Sequence, residues 1–368
     1  MQGLKEQDVP RYHIPPEPYF KDLRREVQQL VRQRDINQNR LKKIKLVLFP
    51  SLYVLTYFSL LLWGSKPIIF FGTYFLLGVL IVVNFLNLIH DAVHGVAIPK
   101  KSKWNHYFIY LFDLLGANSY IWKIRHIQLH HSFPNVQNWD SDFEQSPLVR
   151  VFPQSEARKI HRFQHIYLPF LYPFYLLNWL LVRDFKDFFQ KDRIVNKVAQ
   201  IPETEVYKLI FFKLFFFTYL LLIPKMVLGV TWSATLGGFL LMLFTASIIS
   251  LLVLLSPHAN VESTFPQTNE KGELPNSWFM HQLLCTNDVS NDNFFIRFFM
   301  GSFNFHIAHH LFPHVHHSLY PEITGIIKKY CHEHDLPYRE QSLWQSLKNH
   351  YLLLKKNAVQ EDIFEETM

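Results

Sequence analysis

The stretch "IIFFGTYFLLGVLIVVNFLNLIHDAVH", residues 68–94, is an almost unbroken apolar run that ends in two histidines four residues apart. A helix needs about 20 mostly apolar residues to cross a hydrocarbon layer about 30 Å thick, and 68–89 meets that length. Three further runs, 46–64, 208–229 and 233–256, read the same way. They are apolar around the whole circumference, unlike the one-sided helices of a soluble core. Four membrane-spanning helices are therefore expected. Two shorter apolar stretches, 106–116 and the proline-interrupted 166–182, are expected to lie at the interface or to insert partway.

Charge orients the spans. Lys and Arg are dense before residue 46, in 100–162 and in 183–208, whereas Lys66 and Lys225 stand alone near the two tight turns. The excess of basic residues on cytoplasmic loops places both termini and the central loop on the cytoplasmic side. The expected fold is an all-α integral membrane protein: two transmembrane hairpins under a cytoplasmic helical cap. Its expected divisions are a basic N-terminal segment 1–45, a membrane domain 46–340 and a C-terminal tail 341–368. No cleavable signal is expected from the polar, basic opening. The formal charge of +7 suits anionic lipid headgroups. Nucleic-acid motifs, GxGxxG and P-loop patterns do not occur, so no nucleic-acid partner is expected. Two cysteines, Cys285 and Cys331, cannot build a zinc ribbon or a four-cysteine iron–sulfur centre.

The histidines carry the chemistry. "HDAVH" (90–94), "HIQLHH" (126–131) and "HIAHH" (306–310) each stand just outside an apolar segment, on the side assigned to the cytoplasm. On an α-helix, His90 and His94 share a face, as do His126 and His130, with His131 beside them. His306, His309 and His310 repeat the idea at spacings of three and one. A lone histidine is usually a surface or core residue, but three such clusters at one membrane surface point to metal. Imidazole suits iron, zinc, copper and nickel, and one ion seldom takes more than six donors. Eight or nine histidines thus imply two metals side by side. A transporter would place its ionisable residues mid-membrane rather than flanking the spans.

These clusters resemble the three histidine boxes of integral-membrane fatty acid desaturases, in order and in spacing. The surrounding "WKIRHIQLHHSFPNVQNWDSDFE" (122–144), "WFMHQLLCTNDVS" (278–290), "GSFNFHIAHHLFP" (301–313) and "YPEITGIIKKYCHEHDLPY" (320–338) resemble the acyl-lipid and acyl-CoA branch. The likeness covers roughly residues 45–340. It implies that His90, His94, His126, His130, His131, His306, His309 and His310 ligate two irons, with O2 as co-substrate. The position of "LLSPHANVE" (254–262) makes His258 the expected ninth donor, with His281 as the other candidate. His161, His165, His314, His316, His317, His332 and His334 are expected outside the ligand set.

Carboxylates commonly accept the second ring N–H of ligating histidines. Asp91, Asp140, Asp142 and Glu322 could do so, or could be solvated charges. Trp122, Asn135 and Trp139 are expected to line the acyl entrance. The box led by His306 departs from the front-end branch, which usually has Gln there, and Ala308 stands where many relatives have an acidic or β-branched residue. Both leave the regiochemical class open. Leu254, one turn before His258, replaces the Asn that would hold a water ligand in stearoyl-CoA types.

The resemblance implies insertion of a cis double bond into a CoA- or lipid-linked acyl chain, using O2 and two external electrons. A hydroxylase or acetylenase on the same scaffold is the alternative. The first 45 residues lack the His-Pro-Gly-Gly of cytochrome-fused relatives, so a separate donor, ferredoxin or cytochrome b5, is expected. Lys100, Lys101, Lys103, Lys123 and Arg125 could steer such an acidic carrier.

Overall fold

The computed structural model describes residues 9–34, 40–98, 104–143, 146–255 and 257–358. Lys100, Lys101 and Lys103 fall outside them. The described residues are mostly helical, and the only sheet among them is a two-residue parallel pair, Asp288–Val289 with Glu340–Gln341.

Five helices are long and apolar enough to cross a membrane: Arg40–Trp63, Pro67–Val93, Lys159–Val198, Glu203–Leu228 and Trp232–Leu254. Four match the expected runs. The first begins six residues before the expected 46, because Lys42 and Lys45 turn inward and are buried rather than solvated. The additional candidate, Lys159–Val198, contains the stretch expected to insert partway. It is segmented, passing through 3-10, α and π turns around Pro169 and Pro173.

We label α1 Pro18–Gln33, α2 Arg40–Trp63, α3 Pro67–Asn84, α4 Glu203–Phe217 and α5 Trp232–Leu254. Helices α3 and α5 form the inner pair. A Cβ on Gly78 would collide with the Met242 carbonyl oxygen, so the missing side chain is what lets the two backbones approach. Tyr74 crosses the bundle and donates to the Leu220 carbonyl at 2.5 Å. Outside this pair, Val47, Leu55 and Leu62 on α2 and Phe211 and Leu214 on α4 are more than 60% exposed. Such contiguous apolar faces are expected where lipid replaces water. The turn into α5 uses standard local chemistry: Gly229 ends the preceding helix at φ +63° and the Thr231 side chain caps Ala234 N–H.

The chain on either side of 46–340 packs onto it. Helix α1 buries Phe20, Leu23 and Val27 against Phe279, Leu283 and Ile323. The helix Leu343–Lys356 buries Leu353 against Phe143, Val151 and Leu255.

Candidate metal centre

Helix α3 does not stop at Asn84. It widens into a π turn, Phe85–Ile89, and closes with one α turn, His90–Val93. His90 and His94 keep their four-residue spacing and stand 4.7 Å apart, ring centre to ring centre.

The second box departs from the α spacing assumed from sequence. Ile124–His130 is a π-helix, and His131 N–H bonds to the His126 carbonyl five residues back. The ring over His126 is therefore His131, with Nε2 atoms 3.2 Å apart. His130 is rotated away, toward His258 and His310. A π turn of this kind is often found where function requires it. The third box is a short α-helix, His306–Leu311, so His306 and His310 share a face and His309 turns to another.

The result is two sets of four buried imidazoles: His90, His94, His126 and His309 in one, His130, His258, His306 and His310 in the other. His131 lies between them, beside His309 and His310. All nine sequence candidates are brought together, each from a residue less than 9% exposed. His281 is elsewhere, with Nε2 against the Pro134 carbonyl at 2.8 Å.

Three Nε2 pairs face each other at hydrogen-bond distance: His90 with His126 at 3.0 Å, His131 with His126 at 3.2 Å, and His306 with His258 at 2.9 Å. The buried Nε2 atoms of His94, His309 and His310 have no partner at all. Five of the opposite nitrogens are anchored, whereas the buried Nδ1 atoms of His94, His131 and His306 have no hydrogen-bond partner. His126 Nδ1 meets Asp142 at 3.1 Å, His130 Nδ1 meets Asp140 at 2.9 Å, and His258 Nδ1 meets the Cys285 carbonyl at 3.1 Å. His309 Nδ1 meets the Tyr320 hydroxyl at 3.1 Å, and His310 Nδ1 meets Gln282 Oε1 at 3.0 Å. Every one of these five partners can accept an N–H. The carboxylates, the Cys285 carbonyl and Gln282 Oε1 fix the proton on Nδ1, the Tyr320 hydroxyl is compatible with it, and the Nε2 lone pair then faces inward, the tautomer a metal requires.

Burial, followed by the charge of neighbouring imidazoles, holds His94, His131, His306, His309 and His310 well below the ordinary histidine pKa. His258 is held down in the same way. Burial also pulls on His130, but Asp140 outweighs it and its pKa is raised. Asp142 is driven well down: its burial is outweighed by the His126 hydrogen bond and the Arg125 charge. A dense, buried set of neutral imidazoles with unshared lone pairs fits divalent cations, and these clusters can hold metal.

Other expected residues are placed differently. Glu322 pairs at the surface with Arg34 at 2.9 Å, the solvated alternative. Asp91 meets His317 Nδ1 at 2.7 Å and His316 Nε2 at 3.2 Å rather than any of the nine. Trp122 does line the cavity beside the histidines, stacked on His126 at 4.7 Å. Asn135 and Trp139 do not. Asn135 is fully buried at φ +59°, donating its N–H to Asp140 at 2.8 Å, and Trp139 packs among Leu129, Val136 and Leu274. Arg125 is fully buried between Asp142 and Asp187 and cannot meet an external carrier, whereas Lys123 is exposed. Gln282 and Tyr320 are unforeseen. No local pattern marks them, since each reaches its histidine only through tertiary packing.

Three cavities share walls in this region. The one walled by His90, His126, His130, His258 and His306 shares Tyr175 and Trp179 with both others. One neighbour is apolar, reaching Gly116, Leu180 and Phe216. The other, about 390 Å³, is polar and includes Arg158, Arg183, Lys186 and Arg193 against Glu156 and Asp192.

Comparison with known proteins agrees. Residues 65–342 match the fatty acid desaturase family model. The chain is 32% identical over 324 residues to an acyl-lipid (8-3)-desaturase of Physcomitrium patens, covering 84% of this chain and 65% of that one. It is 29% identical to an sn-1 linoleoyl-lipid 6-desaturase of Arthrospira platensis, covering 74% of each. It is 30% identical to a probable Delta(5) fatty acid desaturase C of Dictyostelium discoideum, covering 72% of this chain and 59% of that one. The chain belongs to the fatty acid desaturase family.

Proposed function

We propose that this chain inserts a cis double bond into a lipid- or CoA-linked fatty acyl chain at a two-iron centre held by the nine histidines. Family membership makes desaturation of fatty acyl chains the reaction class, and makes the chain an oxidoreductase. The three relatives are named desaturases, which disfavours the hydroxylase or acetylenase reading. Their names carry different positions, so the carbon attacked stays open.

The carrying observation is the two four-histidine sets, five of whose eight rings are held through Nδ1, beside a cavity that shares walls with a polar and an apolar one. His90, His94, His126 and His309 would hold one iron, and His130, His258, His306 and His310 the other, with His131 between. Bound there, the irons supply the activation of O2 that an unactivated methylene requires and no side chain can provide.

The protein's own contribution is positioning and dryness. Asp142 and Asp140 hold the protons on His126 and His130 Nδ1, fixing both rings. Trp122, Phe85 and Phe303 pack against the histidines and exclude water. Hydrogens along an acyl chain are chemically alike, so orientation selects among them. The polar cavity, with more cationic than acidic walls, suits a phosphate-bearing headgroup, and the apolar one suits the distal chain.

O2 reduction needs four electrons, of which the substrate gives two. The other two are assigned to a separate carrier, ferredoxin or cytochrome b5. Reconstitution that turns over without any carrier protein contradicts this. For the membrane, we propose four spans in two hairpins, with both termini and the boxes cytoplasmic and 46–340 as the catalytic domain. The prolines and the charged Arg183, Asp184 and Asp187 of Lys159–Val198 support keeping that segment out of the set of full spans. The decisive experiment is the fatty acid profile of a host expressing the wild type beside one expressing His310→Ala. Loss of two hydrogens, seen only with the wild type, supports desaturation, and gain of one oxygen supports hydroxylation.

A further inference from the structure

We propose that the outer face of the C-terminal helix Leu343–Lys356, with the neighbouring segment 159–171, binds an anionic bilayer surface. The helix lies beyond residues 65–342, the part that matches the family. The inference does not depend on the reaction assigned above, only on α5 crossing the membrane.

The inner face fixes the depth of this helix. Asn349, His350, Leu353 and Leu354 are buried, at the spacing of one side of a helix. Leu353 packs with Leu255, one residue past the end of α5, and with Leu251 in its last turn. His350 Nδ1 meets the Ala259 carbonyl, beside His258, at 2.6 Å. The helix therefore lies at the level where α5 leaves the hydrocarbon. It also packs on the helix Gln164–Leu171. Gln164 Nε2 donates to the Leu354 carbonyl at 2.8 Å, and the Tyr351 ring meets His165 edge-on at 5.5 Å.

The outer face has the composition of an interfacial helix. Trp344, Lys348, Tyr351, Leu352 and Lys355 are exposed and share one side, Trp344 by 78%. Ile166 and Phe170, four residues apart on the adjoining helix, are 55% and 75% exposed. Single exposed apolar residues need no explanation, but these lie on two packed helices at a membrane boundary, where Trp, Tyr and Lys gather. The charge is one-sided. Lys348, Lys355, Lys356, Lys159 and Arg162 are exposed, and neither 343–356 nor 159–171 contains an Asp or Glu. Lys355 and Lys356 also suit the C-terminal end of the helix dipole, but Lys348 and Lys159 have no such reason. Glu262 bonds to Asn349, on the inner face, at 3.0 Å. Aromatic rings at the boundary and cations facing an anionic leaflet favour the same orientation.

The test uses the full chain in lipid nanodiscs of phosphatidylcholine, with and without phosphatidylglycerol. Nitroxides are attached at Trp344→Cys or Leu352→Cys, with Phe211→Cys on α4 as the acyl-region standard; the native Cys285 and Cys331 are buried. Accessibility to oxygen, which concentrates among acyl chains, is compared with accessibility to a water-soluble nickel chelate. Both outer labels are expected to favour oxygen, and to do so more strongly in discs with phosphatidylglycerol. Lys348→Gln, Lys355→Gln and Lys356→Gln together should abolish that dependence on lipid charge while bound metal is unchanged. Residues 359–368 add Glu361, Asp362, Glu365 and Glu366 to the sequence, so a protein segment is the competing occupant. Labels shielded from both reagents mean that protein covers the face, and labels open to the nickel chelate mean that water does. Either result, or a depth that ignores lipid charge, overturns the proposal.

Discussion

Two buried histidine clusters lie close together in this protein, and they are chemically opposite. In the nine-histidine centre, Nε2 atoms face one another or face nothing. In the smaller one, Asp91 with His316 and His317, every facing atom is satisfied. Lys45 Nζ, which can only donate, lies 3.1 Å from His317 Nε2, so the ring proton is on Nδ1 and goes to Asp91 at 2.7 Å. Ser318 N–H donates to His316 Nδ1 at 3.2 Å, leaving the Nε2 proton for Asp91. An ammonium and a carboxylate are bridged by imidazole, with no imidazole lone pair left over for a cation. By proximity alone both clusters resemble metal sites; the hydrogen-bond ledger separates them. The larger one can hold metal, and the smaller one ties α2 and the first box to the segment after the third.

The largest expected effect breaks the first cluster. His310→Ala removes one donor from the second set and should abolish desaturation and lower bound metal, read by product analysis and metal content. Next come the anchors. Asp142→Asn or Asp140→Asn keeps the shape but weakens the proton acceptor, and is expected to reduce metal affinity by about 10- to 100-fold, measured by competition with a chelator.

The metal-free protein should also be acid-sensitive. His94, His131, His258, His306, His309 and His310 are held by burial well below the ordinary value of 6.5, so unfolded chains take up protons below that pH when the folded chain does not. The stability this confers is present above about pH 6.5 and is lost as pH falls. His130, raised by Asp140, acts in the opposite direction but stands alone against six. Melting temperatures of the metal-free form at descending pH check this, and a flat profile contradicts it.

The second cluster gives a smaller, different result. His317→Leu removes the bridge but leaves Lys45 bonded to Asn87 and the Arg297 carbonyl and Asp91 to His316, a loss of about 1–3 kcal/mol for the hydrogen bonds broken. Metal content should survive while the unfolding temperature drops. Smallest of all, Glu322→Gln breaks only an exposed pair with Arg34 and should match the wild type in both assays.

Much of this organisation was legible in local sequence. The four apolar runs and the three boxes are patterns within a few residues of one another, and hydropathy or spacing finds them, whereas His258 was reached only through the family likeness of the residues around it. What spacing could not give is which histidine joins which set. The α rule pairs His126 with His130, yet the π-helix Ile124–His130 sends them to different sets, and no residue there announces an i+5 turn. Carboxylate roles divided for a similar reason. Asp140 and Asp142 reach their rings from within 10 and 16 residues, whereas Asp91 is claimed by His317, 226 residues away. Gln282 and Tyr320 depend wholly on tertiary contact.

The central claim is that nine imidazoles from separate segments hold a pair of iron ions. Purified protein loaded with ferrous iron without oxygen, then desalted and assayed for metal per chain, tests it most directly. Two irons per chain, falling in His310→Ala and unchanged in His317→Leu, is the expected result. No stoichiometric iron in the wild type, or equal loss in both variants, contradicts it.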